Sequence, residues 1–159
     1  MLTAPEVITT SPEQTQAFAQ RLGEACRGSE VFLLIGDLGT GKTCFTQGLA
    51  KGLAVEEYVH SPTFVLVAQY HGRLTVHHVD LYRIDSTPEA VDLGLDDYFN
   101  SSAVTVIEWA DKAHRAMPPD HLRVEMTDLG GSKRRIALTA QGQRSQRLLQ
   151  TVTQPTAKK

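Results

Sequence analysis

The sequence is short of cysteine, of long apolar runs and of excess charge. Its 159 residues contain two cysteines, Cys26 and Cys44, which form no CxxC pair, so neither a disulfide framework nor a zinc knuckle is expected. No apolar stretch approaches the roughly 20 residues that cross a bilayer. The N-terminus also lacks the basic start and apolar middle of a signal peptide. These absences predict reduced thiols, a cytoplasmic location and no membrane segment.

Charge and length narrow the class of protein further. The net charge is -2, with 41% hydrophobic and 21% charged residues, which is the balance of an ordinary globular protein. Since there is no basic excess, we expect no DNA binding and no autonomous tRNA-binding surface. The length suits one domain, predicted over residues 1–150, with a disordered tail at 151–159.

Hydrophobic periodicity predicts alternating strands and helices. Ser11 is the expected N-cap of a first helix, with Gln14 completing a capping box and Gly28 near its end. Residues 31–35 are a continuous apolar run, typical of a strand buried on both faces. The remaining predicted elements are a helix after residue 41, a hairpin of 63–70 with 73–80, short helices in 86–100, a strand at 102–109 and a hairpin of 120–128 with 133–140.

The segment "GDLGTGKT", from Gly36 to Thr43, fits the phosphate-loop pattern G-x-x-x-x-G-K-[ST]. It lies where that pattern requires, after a buried strand and at the start of an amphipathic helix. Glycines let backbone N–H groups turn around phosphate oxygens, and the helix adds its free N–H groups. Lys42 is expected to reach the β- and γ-phosphates, and the Thr43 hydroxyl to bind Mg²⁺. We therefore predict an α/β, P-loop NTPase-like three-layer fold with a mixed, largely parallel central sheet flanked by helices.

A phosphate loop needs an acid to hold the metal or to position water. In α/β sheets such acids lie at the carboxyl ends of neighbouring strands. Asp80 closes one apolar run and Glu108 closes another. The second run is more continuously apolar, so Glu108 is the better candidate for the acid at the centre of the sheet. Each acid could instead be an ordinary polar strand end.

The ordered set of motifs resembles the TsaE (YjeE) family, small bacterial P-loop ATPases of tRNA threonylcarbamoyladenosine (t6A) synthesis. The phosphate loop alone is common to many NTPases, whereas the ordered set is specific. The other matching segments are "SPTF" (Ser61–Phe64), "HVDLYR" (His78–Arg83), "GLDDYF" (Gly94–Phe99) and "EWADK" (Glu108–Lys112). Together they cover about residues 11–112, and the likeness is weak beyond them.

This resemblance implies an ATPase that depends on Mg²⁺ and works with two partner proteins, TsaB and TsaD. Hydrolysis of ATP would be coupled to the cycle of the TsaB–TsaD complex, which modifies the adenosine beside the tRNA anticodon. The ATPase would meet tRNA only indirectly, through that complex.

The resemblance also implies roles for individual residues. Lys42, Asp80 and Glu108 would be catalytic, with Asp80 beside the γ-phosphate, and Thr43 and Glu108 would hold Mg²⁺. Ser61 and Thr63 would lie in a switch-like segment, and Trp109 would face the partner unless it only packs in the core. The expected nucleotide contacts are Ser11, Asp37, Leu38, Gly39, Thr40, Gly41, Lys42, Thr43 and Cys44.

Several residues have a second interpretation. Ser11 is already explained by its capping role. Cys44 lies at a helix N-terminus that could lower its pKa, although packing is the commoner role of a cysteine. Arg83 could be an arginine finger or the partner of a structural salt bridge. His77 and His78 are neighbours on a strand and therefore point to opposite faces, so we do not expect them to share a metal.

Two other functions fit a small P-loop protein. A small-molecule kinase would need an acceptor pocket and a mobile lid with arginines, and Arg134 and Arg135 lie in a predicted hairpin that is a poor lid. A nucleotide-sensing scaffold with little turnover would most naturally lack one of the acids. A GTPase is disfavoured because no N-K-x-D motif appears in the sequence.

Overall fold

The computed structural model describes residues 2–3, 6–37, 39–60, 67–84 and 87–153. Its strands are β1 (Leu2–Thr3), β2 (Val7–Thr9), β3 (Val31–Ile35), β4 (Val67–His71), β5 (Thr75–Asp80), β6 (Val104–Glu108), β7 (His121–Gly130) and β8 (Lys133–Gln141). Its helices are α1 (Pro12–Ala25), α2 (Lys42–Gly52), α3 (Thr87–Asp92), α4 (Leu95–Phe99) and α5 (Gln143–Thr153), with a 3₁₀ segment at Ala110–Ala116.

These strands form one mixed sheet in the order β1-β8-β7-β3-β6-β5-β4, and β2 also pairs with β8. The four central strands β7, β3, β6 and β5 are mutually parallel. The outer pairs β7–β8 and β4–β5 are antiparallel hairpins. The prediction of a mixed, largely parallel central sheet is confirmed.

Helices cover both faces of the sheet and create two apolar clusters. Because side chains alternate along a strand, β3 contributes to both clusters: Phe32 and Leu34 to one, Val31 and Leu33 to the other. Helices α1, α2 and α5 lie over the first cluster, and α3, α4 and the 3₁₀ segment lie over the second. This is the predicted three-layer arrangement.

Helix α1 begins at the predicted N-cap Ser11, but the reciprocal bond of Gln14 goes to the amide of Thr10 and not to that of Ser11 as in a capping box. The hydroxyl of Ser11 accepts a hydrogen bond from the Gln14 amide (3.1 Å), and the Gln14 side chain accepts one from the Thr10 amide (2.7 Å). The helix ends at Ala25, before Gly28, because backbone amides that follow it bind the buried Glu30 carboxylate instead of helix carbonyls. The carboxylate accepts from the amides of Arg27 (2.8 Å) and Gly28 (2.7 Å).

Helices α1 and α2 pack at backbone distance. A Cβ at Gly48 would lie 2.3 Å from the Gln16 carbonyl oxygen, and one at Gly52 would lie 2.2 Å from that of Gln20. Gly48 therefore allows the two helix backbones to approach closely, although glycine inside a helix costs about 1 kcal/mol relative to alanine. This contact places the start of α1 next to the phosphate loop that precedes α2.

Helix α5 was not predicted from the sequence, because its N-terminus is capped by a distant residue. Asp120 accepts hydrogen bonds from the amides of Arg144 (2.9 Å) and Ser145 (3.0 Å), so the cap comes from another part of the chain. The helix continues to Thr153, three residues past the predicted domain boundary, and the rest of the predicted tail lies outside the described residues. Among the helices of the described segments, none has the length and apolar character needed to span a membrane.

Candidate functional site

The phosphate-loop segment connects the end of β3 with the start of α2. Gly39 and Gly41 have positive φ angles of 80° and 100°, which glycine adopts without strain. Gly36 has a different constraint, because a Cβ there would lie 2.7 Å from both the Met126 carbonyl oxygen and the Thr40 hydroxyl. That hydroxyl donates to the Asp37 carbonyl (2.8 Å) and closes the loop.

Lys42 lies in the interior of this loop. Its side chain is mostly buried, and its ammonium donates to the carbonyl oxygens of Gly36 (2.5 Å) and Asp37 (3.0 Å). Burial lowers the pKa of Lys42, while the nearby charges of Glu108 and Asp80 act in the opposite direction. The loop thus holds a positive charge inside a cradle of backbone groups.

Trp109 covers that charge. The Lys42 ammonium lies 4.1 Å from the centre of the Trp109 ring, within the range of a cation–π contact. The Trp109 backbone is in the left-handed region (φ 60°) and its amide donates to the Leu34 carbonyl (3.2 Å), so the turn after β6 is fixed to β3. Its ring also packs against Tyr82, with 5.1 Å between the ring centres. The packing interpretation is supported, and the partner-facing role stays a prediction.

Asp80 and Glu108 end two adjacent parallel strands. They are direct partners in the register of β5 and β6, and both are buried. Asp80 accepts a hydrogen bond from the Tyr82 amide (2.8 Å). Glu108 is the more central of the two, because β6 lies between β3 and β5. The structure therefore brings both predicted acids to the edge of the sheet where Lys42 lies.

A buried histidine, His78, contacts Glu108, and no role for it was predicted from the sequence. His78 Nε2 lies 2.5 Å from Glu108 Oε2, and His78 Nδ1 lies 3.3 Å from the Tyr70 hydroxyl. A signal was present in the spacing of His78 and Asp80, since residues i and i+2 of a strand share a face. His77 points to the other face and packs on Tyr98, as expected for neighbouring residues of a strand.

Arg134 also reaches the loop. Its guanidinium donates to the Gly39 carbonyl (3.2 Å) and pairs with Asp128 (3.0 Å) across the β7–β8 hairpin. The hairpin itself was predicted from the sequence. Its contact with the loop was not, because the pattern of a hairpin does not show which neighbouring element the hairpin will contact.

The remaining predicted nucleotide contacts surround the start of α2. Cys44 donates to the Pro12 carbonyl (3.4 Å), which brings Ser11 and the start of α1 beside the loop. Burial raises the pKa of the Cys44 thiol, which favours the packing role over the alternative of a pKa lowered by the helix N-terminus. Leu38, Ser61 and Thr63 lie outside the described residues.

The residues present fit a magnesium–nucleotide complex. The first amides of α2 lack intrahelical partners, and its N-cap residue Gly41 brings no side chain to the loop. The Thr43 hydroxyl and the Glu108 carboxylate are oxygen donors of the kind that Mg²⁺ prefers. Over the described ranges no group of three or more His, Cys, Asp or Glu residues is arranged to hold a metal ion, so a metal here would need further oxygens such as those of phosphate.

Comparisons with known proteins agree with this geometry. The family model described as "Threonylcarbamoyl adenosine biosynthesis protein TsaE" matches residues 9–136. The TsaE protein of Bacillus subtilis (strain 168) is 38% identical over 146 residues, or 91% of each chain. That of Treponema pallidum (strain Nichols) is 35% identical over 82% of this chain and 97% of its own.

One solved structure is similar to this chain in fold as well as in sequence. The crystal structure of Bacillus subtilis YdiB superposes with a TM-score of 0.84 at 32% identity, covering 96% of this chain and 97% of that one. The match of a family model to most of the chain, together with these identities over nearly full lengths, is decisive. This chain belongs to the TsaE family of threonylcarbamoyladenosine biosynthesis proteins.

Proposed function

We propose that this chain binds ATP with Mg²⁺ and hydrolyses ATP to ADP and phosphate. One observation carries the proposal: a buried lysine in a phosphate loop faces two acids that end adjacent parallel strands. Lys42, Asp80 and Glu108 come from three separate elements and meet at one edge of the sheet. General rules for open α/β sheets place ligands at this edge.

In this proposal the loop amides and Lys42 bind the phosphates and position them against the sheet. Thr43 and Glu108 hold Mg²⁺, which would neutralise charge on the phosphate oxygens. Asp80 lies in register with Glu108, where it can orient water beside the γ-phosphate. Trp109 covers one side of Lys42 and restricts the approach of solvent to the ammonium.

We further propose that hydrolysis serves tRNA t6A modification by coupling to the cycle of the partner proteins TsaB and TsaD in the cytoplasm. Support comes from family membership and from the names of the relatives, which state a role in this biosynthesis. Contact with tRNA would be indirect, since the net charge of -2 offers no general attraction for nucleic acid.

Co-purification with TsaB and TsaD, with and without ATP, tests the proposal when phosphate release is measured in the same samples. We expect release of phosphate that needs Mg²⁺, and a complex whose stability changes with ATP. A phosphorylated small-molecule product would instead indicate a kinase. ATP binding without turnover in the presence of both partners would indicate a nucleotide-sensing scaffold.

A further inference from the structure

We infer that His78 is a positioning residue that holds the Glu108 carboxylate in the orientation required to bind Mg²⁺. The inference rests on the proposed function, because it concerns the metal site of that reaction. It assigns a role to a residue that would itself touch neither nucleotide nor metal.

The geometry around His78 fixes the imidazole at both nitrogens. The side chain is fully buried, with Nε2 2.5 Å from Glu108 Oε2 and Nδ1 3.3 Å from the Tyr70 hydroxyl oxygen. The Tyr70 hydroxyl donates to the His60 carbonyl (3.0 Å), which fixes the position of the oxygen that lies against His78 Nδ1. The imidazole is therefore held in one orientation, with Nε2 aimed at the acid.

The hydrogen bond between His78 and Glu108 makes the two carboxylate oxygens of Glu108 different. Oε2 is engaged by His78, so Oε1 is the oxygen left for a cation. Carboxylates that bind metals are commonly held by such an outer hydrogen bond, and its loss typically weakens metal binding by about 10- to 100-fold. The restraint on Glu108 matters more because Lys42 is nearby. The charge of Glu108 acts on the Lys42 ammonium, which would attract the carboxylate if it were free to turn.

Two substitutions separate the bond to Glu108 from the other contacts of His78. In His78→Gln, the side-chain amide nitrogen can occupy the place of Nε2 and donate to Glu108. In His78→Asn, the shorter amide can replace only Nδ1, so the bond to Glu108 is lost while the contact with Tyr70 can remain. The two variants are thus matched in chemistry and differ in reach.

The experiment measures Mn²⁺ binding to the protein–ADP complex by electron paramagnetic resonance. We expect His78→Asn to weaken Mn²⁺ binding by about 10- to 100-fold. His78→Gln should retain binding within about threefold. The affinity for ADP in EDTA should be unchanged in both variants, because His78 would not touch the nucleotide. Equal Mn²⁺ affinity in wild type and His78→Asn would overturn the inference.

A second measurement does not require a variant to fold. In the wild-type protein, ¹⁵N NMR of the imidazole should show the His78 ring responding when Mg²⁺ is added to the ADP complex. A His78 signal that stays unchanged through saturation with Mg²⁺ would also overturn the inference. If the wild type binds neither ADP nor metal, the proposed function itself fails, which is distinct from failure at His78 alone.

Discussion

The ammonium of Lys42 lies 4.1 Å from the centre of the Trp109 ring, and Trp109 directly follows Glu108 at the end of β6. The end of β6 therefore carries both Glu108, the proposed Mg²⁺ ligand, and the ring that covers Lys42, the proposed phosphate-binding residue. A change on either side of this contact should alter both the charge and the shape of the site.

Replacing Lys42 tests the charge. We expect Lys42→Ala to weaken ATP binding by at least about tenfold, because hydrogen bonds to a charged group contribute roughly 1.5–3 kcal/mol. Isothermal titration calorimetry measures the affinity. Lys51→Ala, in the last turn of the same helix α2, is the matched control and should bind like wild type. Equal ATP affinity in wild type and Lys42→Ala would contradict the assignment.

Replacing Glu108 separates binding from turnover. We expect Glu108→Ala to keep nucleotide and partner binding while the rate of phosphate release falls by roughly 10²-fold or more, because a ligand of the metal is removed. Glu24→Ala, an exposed glutamate on α1, is the control. Turnover at the wild-type rate in Glu108→Ala would remove Glu108 from the mechanism.

Gly36 tests whether the loop tolerates a side chain. A Cβ there meets backbone as well as the Thr40 hydroxyl, so Gly36→Ala should lower the free energy of unfolding by about 1–3 kcal/mol and impair nucleotide binding. Urea unfolding and calorimetry measure the two effects. Gly130→Ala, in the β7–β8 turn, has a positive φ angle but open space around it, and should leave nucleotide binding intact. A Gly36→Ala protein that binds ATP normally would show that the loop can shift.

Arg134 tests the contact between hairpin and loop. Losing the hydrogen bond to Gly39 should weaken nucleotide binding roughly fivefold in Arg134→Gln, since one such bond contributes about 1 kcal/mol. Arg135→Gln is the natural control, because the neighbouring side chain pairs with Glu6 instead. If both variants bound ATP equally well, the hairpin would have no role in holding the loop.

His77 gives stability a dependence on pH. Burial lowers the pKa of this imidazole in the folded protein, whereas the unfolded chain takes up a proton near the ordinary value of about 6.5. The unfolded state therefore binds more protons below that value, and stability should fall as the pH drops from about 6.5 toward the lowered pKa. Urea unfolding at several pH values should show a shallower fall for His77→Gln than for wild type. Parallel curves would contradict this assignment.

Elements with a strong local pattern could be predicted from the sequence. The cap at Ser11, the buried run of β3 and the glycines of the loop each depend on near neighbours in the chain. Helix α5 could not be predicted in this way, because its cap comes from Asp120 and its first turn therefore depends on the folded domain. The same distinction applies to the site: Lys42 and Glu108 were evident, whereas the contact of Arg134 with Gly39 joins distant segments.

By itself, the sequence determined the phosphate loop, the two acids and the family likeness, since each is written in a short local stretch with its own spacing. Only the tertiary structure decided what surrounds them. Parallel pairing of β5 with β6 brought Asp80 beside Glu108, and burial of His78 against Glu108 created a contact over 30 residues of separation. Such contacts depend on strand order and close packing, which no local spacing encodes.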